Sequence, residues 1–389
     1  KVFQNCYLDK QDTKNYFENL INNYDANYSR YVYFYISYLI QENQINEAKI
    51  LSNQINNLNS SLLASQAKEW IDQKKFSKFG KFFSCNSEAD ILSEFFFLLA
   101  NLYSNENILE KSNLFLNMSY YLNPKFIFNL SLLSDNHYNN NNFKISKKLL
   151  KVFDSNNNVY YWHKIKVESK IILKEQGQEE SFNFINSKFK KINNPSNKIL
   201  FDMANLSKSF KKYDLAIKYY DQVISVTDKK SDLYADLLYR RGGSYERLGK
   251  FNKSDEDLLE SLEINPDDAY VLNYLAYSWL ERGFKIQSAI KMLEKAHQKR
   301  KNDPYILDSV GWAYYLINDY KKAKYFIQKA IILMPDDPVV NDHYGDILWK
   351  LDNKIQASYY WRAALTFIDT NKIMKENIKI KLLRGPNKI

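Results

Sequence analysis

Large apolar, small and aromatic residues return along the second half of the chain every 34 positions, with polar residues between them. Gly311 and Gly345 are one interval apart, as are Ala289, Ala323 and Ala357, and again Ala296 and Ala330. Ala364 closes the second alanine series. Pro266 and Pro335 lie 69 positions apart, and so do Gly242 and Gly311. A fixed period of this length marks a repeat architecture. Each period divides into two apolar stretches separated by a short turn, which predicts two antiparallel helices per unit.

The physical chemistry of the slots supports that reading. Small residues at slots 8 and 20 of each unit let its two helices approach closely. A small residue at slot 27 admits the next unit's first helix, and large side chains fill the space that remains. Proline at slot 32 ends the second helix. The unit from Ala235 places Leu238, Gly242, Tyr245, Gly249, Phe251, Ser254, Leu258, Ser261 and Pro266 in this order. The units from Ala269, Pro304 and Pro338 repeat it, the last through Tyr344, Gly345, Leu348, Ala357, Trp361 and Ala364.

This pattern resembles the tetratricopeptide repeat. The stretches Tyr305–Tyr315, Asn341–Asp346, Tyr360–Leu365 and Ile380–Gly385 further resemble a group of bacterial proteins of that family common among alphaproteobacteria. The resemblance implies an all-α fold, a right-handed superhelical solenoid of antiparallel helix pairs with about ten repeats. The first half fits more loosely, in units beginning at Ser93, Ile127, His163 and Asn197, and Arg30–Leu63 offers little beyond Ala48. Three regions are expected: degenerate repeats over 1–196, well-matched repeats over 197–369, and a capping helix with a basic tail over 370–389. In the tail, Ile373, Met374, Ile378, Leu382 and Leu383 have helical spacing, and Gly385-Pro386 stops the helix.

Composition narrows the rest. The 389 residues include nine glycines and seven prolines, too few for an all-β fold of this length. Two cysteines, Cys6 and Cys85, exclude a disulfide framework and a cysteine-based zinc site, while leaving one disulfide open. No small residues precede Cys6, which argues against a lipidated cysteine. The formal charge is +10, with 47 lysines, eight arginines and 44 asparagines. That bias matches AT-rich codons better than a nucleic-acid surface, which favours arginine. Nucleic acid is therefore not the expected partner, although Lys144, Lys147, Lys148 and Lys151 share a helical face. Six basic residues within 371–389 make the tail the best candidate for contact with an anionic membrane surface or an acidic partner. The longest apolar runs, Tyr31–Ile40 and Phe95–Ala100, are too short to span a bilayer. A soluble chain of the bacterial cytoplasm or periplasm is expected.

No nucleotide-binding or nucleophile-elbow motif is present. Arg241–Ser244 contains a slot-8 glycine inside a helix and reads as packing. Asp342 and Asp346 share a helical face from which His343 is turned away, so no metal or other cofactor is expected. Asp267-Asp268 and Asp336-Asp337 follow slot-32 prolines and read as helix caps. The chain is expected not to be an enzyme.

The family resemblance places slots 2, 5, 9 and 12 of each first helix on a concave groove. Here they supply Tyr239, Tyr270, Asn273, Tyr277, Tyr305, Asp308, Trp312, Tyr315, Asp342, Asp346 and Trp349. An aromatic and acidic wall of this kind suits a protein or an extended peptide. It lacks the lysines and asparagines with which some co-chaperones of the family hold acidic tails. Asp308 and Asp342 are expected to be exposed, so reversing their charge should weaken partner capture with little effect on melting. The expected function is a non-catalytic interaction scaffold. The alternative is the repeat region of a larger enzyme or envelope assembly complex whose catalytic or anchoring part lies upstream.

Overall fold

The computed structural model describes residues 1–22, 29–55, 58 and 60–386; Lys388 of the basic tail lies outside them. Among the described residues there are 23 α-helices and no strand, so the all-α class holds. The chain forms two compact units, 1–212 and 213–389.

The first unit opens with six short helices: α1 (Val2–Tyr7), α2 (Thr13–Ile21), α3 (Ser29–Gln41), α4 (Ile45–Asn53), α5 (Leu62–Asp72) and α6 (Ser77–Phe82). They pack around α3, whose Tyr33, Phe34, Ile36 and Leu39 are almost fully buried. Cys6 and Cys85 form a disulfide, with Cα atoms 5.8 Å apart, tying α1 to the link after α6. Helix pairs follow: α7 (Glu88–Asn105) with α8 (Leu109–Leu122), α9 (Phe128–Asn139) with α10 (Phe143–Leu150), and α11 (Asn158–Glu175) with α12 (Gln178–Phe189). Helix α13 (Asn197–Ser209) completes the unit.

The second unit begins with α14 (Tyr213–Ile224). Four pairs follow: α15 (Asp232–Arg247) with α16 (Phe251–Ile264), α17 (Ala269–Glu281) with α18 (Ile286–Lys299), α19 (Pro304–Leu316) with α20 (Tyr320–Leu333), and α21 (Pro338–Lys350) with α22 (Lys354–Thr366). Helix α23 (Lys372–Arg384) packs against α22 and buries Ile378 completely.

The turn inside each pair needs one residue in the left-handed region. That residue falls at slot 15 in eight successive units: Asn107, Asn141, Gly177, Lys211, Gly249, Gly283, Asn318 and Asp352, with φ between 57° and 103°. The slot-8 glycines work by contact instead. A Cβ at Gly311 would sit 2.5 Å from Ile327 Cγ1, and one at Gly345 would run into the buried Trp361 indole. Asp268 and Asp337 cap their helices as expected, each accepting two backbone N–H bonds, and Asp303 does the same without having been foreseen. Asp267 instead pairs with Lys295 and Lys299.

Small slots in the first unit carry serine where the second unit mostly has alanine. Ser112 Oγ donates to the Ala100 carbonyl at 2.8 Å, and Ser119 Oγ to the Ser93 carbonyl at 2.6 Å. From the next repeat, Asn129 donates to Ser119 Oγ at 2.7 Å and Asn136 to Ser112 Oγ at 2.8 Å. These buried hydroxyls and side-chain amide N–H groups bond to one another, with Asn129 Oδ1 left without a partner among the described residues, so the same stacking is held by hydrogen bonds instead of alkyl contact.

Candidate functional site

The expected groove residues lie on α15, α17, α19 and α21, the first helices of the four pairs in the second unit. Their exposure is uneven. Tyr305 and Tyr270 are 62 % and 44 % exposed, whereas Tyr315 and Asp346 are buried and Tyr239, Asn273, Tyr277, Trp312 and Trp349 are half-buried.

The carboxylates are engaged, although Glu281 is itself exposed. Each accepts a hydrogen bond from, or lies against, a ring or cation of a later helix. Glu246 of α15 accepts from Tyr274 Oη of α17 at 3.1 Å. Glu281 of α17 accepts from Trp312 Nε1 of α19 at 3.1 Å. Asp308 of α19 lies 3.0 Å from His343 Nδ1 of α21. Asp342 and Asp346 of α21 each accept from Lys381 Nζ of α23 at 2.8 Å. Asp346 also accepts from Trp361 Nε1 at 3.0 Å. The wall is thus an interlocking ladder in which one repeat's acid fixes the next repeat's ring.

The expected exposure of Asp308 and Asp342 is therefore corrected. Asp308 is only 7 % exposed, and the Asp342 side chain 13 %. Spacing within one repeat could not reveal this, because each partner comes from the next element. Reversing either charge would bury two like charges together, so melting would not stay unchanged. His343 and Lys381 were missed for the same reason. The signal available was the 35-residue step from Asp308 to His343, one repeat plus one residue.

Trp312 is likewise engaged on both faces. Its ring stacks on Tyr315 at 4.7 Å and on His343 at 4.0 Å, with interplanar angles of 15° and 13°. Burial works against the charged form of His343, but the adjacent Asp308 carboxylate, helped by Asp342 and Asp346, raises its pKa above the ordinary histidine value. Burial lifts the Asp346 carboxyl to about 6, against the pull of Lys381. Helix α23 closes this end of the wall. An open hollow of about 440 Å³ remains beside it, lined by Trp312, Tyr315, Asp342, Met374 and Lys381 among others. Gly385, at φ 77°, lies so close to Trp349 that a Cβ would sit 2.5 Å from the indole. Asp342, Asp346 and Trp349 thus hold the last helix, and the open part of the wall runs along α15, α17 and α19.

The first unit treats its repeats differently. Arg30 of α3 pairs with the buried Glu94 of α7, with Nε 2.8 Å from Oε1. Its guanidinium lies 3.8 Å from the Phe97 ring centroid and 4.7 Å from that of Phe128. Glu94 and Phe97 occupy slots 2 and 5 of their repeat and Phe128 slot 2 of the next, the slots that line the wall in the second unit. The chain's own early helices fill these positions. Among the described residues no cluster of His, Cys, Asp and Glu could hold a metal ion, and no helix is long and apolar enough to cross a membrane.

Comparison with known proteins agrees with the period. A family model described as tetratricopeptide repeat matches residues 198–229 and 235–268. A TPR repeat-containing protein of Pseudomonas aeruginosa is 32 % identical over 111 residues, which are 28 % of this chain and 19 % of that protein. Anaphase-promoting complex subunit 3 of Schizosaccharomyces pombe is 24 % identical over 109 residues, 28 % of this chain and 15 % of that one. The chain thus spans less than a fifth of the length of these curated relatives. Among solved structures, a tetratricopeptide repeat protein of Parabacteroides merdae is similar over 75 % of this chain and 98 % of its own, with a TM-score of 0.46 and 14 % identity. A thermophilic TPR protein of Thermus thermophilus is similar over 48 % of this chain and 100 % of its own, with a TM-score of 0.41 and 16 % identity.

Proposed function

Because the chain carries tetratricopeptide repeats, we propose that it is an interaction scaffold that binds a protein or an extended peptide along α15, α17 and α19. The observation that carries this reading is the row of tyrosines on those helices, Tyr239, Tyr270, Tyr277 and Tyr305, two of them substantially exposed. A tyrosine offers a large apolar face and a hydroxyl at little cost in side-chain entropy, which suits recognition. The carboxylates of the wall act on this reading as supports that hold rings in place, and the rings make the contact.

The reading is tested by selecting binders from a random-peptide display library on the immobilised chain. Recovered peptides are then measured against Tyr270→Ala and Tyr305→Ala. Both side chains are largely exposed, so neither change opens a core cavity. Affinity should fall roughly tenfold or more for either. Tyr325→Ala and Tyr359→Ala, exposed positions on the second helices α20 and α22, should leave it unchanged. Peptides that bind all four variants as tightly as the parent chain would place the site elsewhere.

A further inference from the structure

Three helices of the first unit begin around one hollow. Ser61, Asn157 and Ser196 cap α5, α11 and α13, each with its side-chain oxygen accepting from the backbone of the first turn. Such a cap satisfies one or two first-turn N–H groups and leaves the rest without an intrahelical acceptor. Leu62, Asn158 and Asn197, the first residues of these helices, all line a hollow of about 410 Å³. Lys198 donates to the Leu58 carbonyl at 2.8 Å, so the starts of α5 and α13 meet at one end of it. A helix start carries partial positive charge, and two joined in this way favour an anion between them.

The side chains of the wall carry the argument further. Lys198, in the first turn of α13, is half-buried. The nearby Asp202 carboxylate is already engaged, accepting from Lys166 Nζ at 2.6 Å and from Trp162 Nε1 at 2.9 Å. Among the described residues no carboxylate pairs with Lys198, whose charge rests on the Leu58 carbonyl alone. Burial above all, with Lys166 beside it, pushes its pKa down against the pull of Asp202. His163 gives an independent sign. It lines the same hollow, is nine-tenths buried, and its Nε2 has no hydrogen-bond partner among the described residues. Asp135 Oδ1 stands 3.7 Å away, beyond hydrogen-bonding reach. Burial, with Lys166 and Lys170 near, holds the imidazole neutral by lowering its pKa to about 3. Glu69 and Asp72, the carboxylates of the wall, lie about two turns or more along α5 from Leu62.

We propose that this hollow binds a compact oxyanion, a carboxylate or phosphate group of a small molecule, between Lys198, the first turns of α5 and α13, and His163. The anion supplies what each of these groups lacks. It gives the Lys198 ammonium a counter-ion, the first-turn N–H groups an acceptor, and the neutral imidazole a partner for its N–H. The volume of the hollow is that of a small-ligand site. The site belongs to the first unit and does not depend on the wall formed by α15, α17 and α19.

Isothermal titration of the full chain in a low-salt buffer tests the proposal, with inorganic phosphate in one arm and succinate in the other. At least one should bind with a stoichiometry of one. Phosphate alone would assign a phosphate group, and succinate alone a carboxylate. Lys198→Met should weaken the binding roughly tenfold or more, the worth of a hydrogen bond to a charged group. Lys198→Arg should restore most of it. Asn197→Asp separates binding from folding. An acid at the first position of α13 favours the helix start, so this variant should melt no lower than the parent chain. Its charge repels an anion and should weaken binding by a similar factor. Lys144→Met, at an exposed position of α10 outside the hollow, should change nothing. Failure of both probes to bind overturns the proposal. So does binding that is indifferent to Lys198→Met and Asn197→Asp, or that Lys144→Met weakens equally.

Discussion

At slot 15 a side chain pays a conformational penalty that glycine avoids, and Lys211 shows it most clearly. Its φ of 59° disfavours any residue with a Cβ, while asparagine tolerates that region better. Lys211→Gly should therefore raise stability by about 0.5–1 kcal/mol, net of the glycine's extra freedom in the unfolded chain. Asn141→Gly, at φ 57°, should gain less; urea unfolding of both measures the difference. His343 is sensitive in another way. Its pKa is raised in the fold, so its contribution is complete below the ordinary histidine value of about 6.5 and disappears as pH rises through the higher folded value. The melting temperature should fall as pH rises above about 6.5, a range that lies above the Asp346 value of about 6. His343→Gln should flatten that slope. An unchanged slope would mean that Asp308 does not hold the imidazolium.

Between helices, the close approaches rank the glycines. Gly345→Ala drives a methyl into the fully buried Trp361 and should cost roughly 1–3 kcal/mol, as overpacked cores do. Gly242→Ala meets Leu258 Cγ at 3.1 Å, and a gain in helix propensity of about 1 kcal/mol offsets most of that crowding. Denaturation midpoints should therefore separate the two although both occupy slot 8. The repeats were legible wherever slots held Gly, Ala and Pro, because those residues act through size and backbone shape, which sequence states openly. They faded in the first unit because other chemistry fills the same slots. Asn107, Asn141 and Lys211 make the turns, and Ser112 and Ser119 take the small positions, each with an asparagine partner one repeat on. The role of Arg30 could not be read at all, since Glu94 lies 64 positions away and shares no period with it. Removing that side chain leaves Glu94 buried and unpaired. Arg30→Ala should cost the first unit about 3–5 kcal/mol, measured by urea unfolding.

The repeat array begins and ends differently. Its first repeat leaves Phe95 and Leu102 bare, whereas its last is covered by a helix outside the repeat pattern. That covering helix is weakly amphipathic and buries only Ile378 fully, so apolar burial alone does not account for its hold. The remainder rests on Lys381, which neutralises two carboxylates that are themselves largely enclosed. Lys381→Met keeps the length of the side chain and removes the charge, leaving Asp342 and Asp346 facing each other without a cation. The cost should be about 3 kcal/mol or more at neutral pH. It should shrink as pH falls, and should do so above the Asp346 value of about 6, because losing Lys381 removes the pull that holds that carboxyl down. Adding Asp342→Asn and Asp346→Asn to Lys381→Met should recover much of the loss, because the triple variant has no buried charge left to satisfy. A cycle of urea-unfolding measurements on these variants separates the two accounts of the cap. Additive losses would mean that packing around Ile378, Met374 and Gly385 holds α23 and that the ion pairs are incidental. A strong positive coupling would mean that the acidic residues at slots 5 and 9 of the last repeat, placed where the groove would otherwise continue, are there to fasten its end.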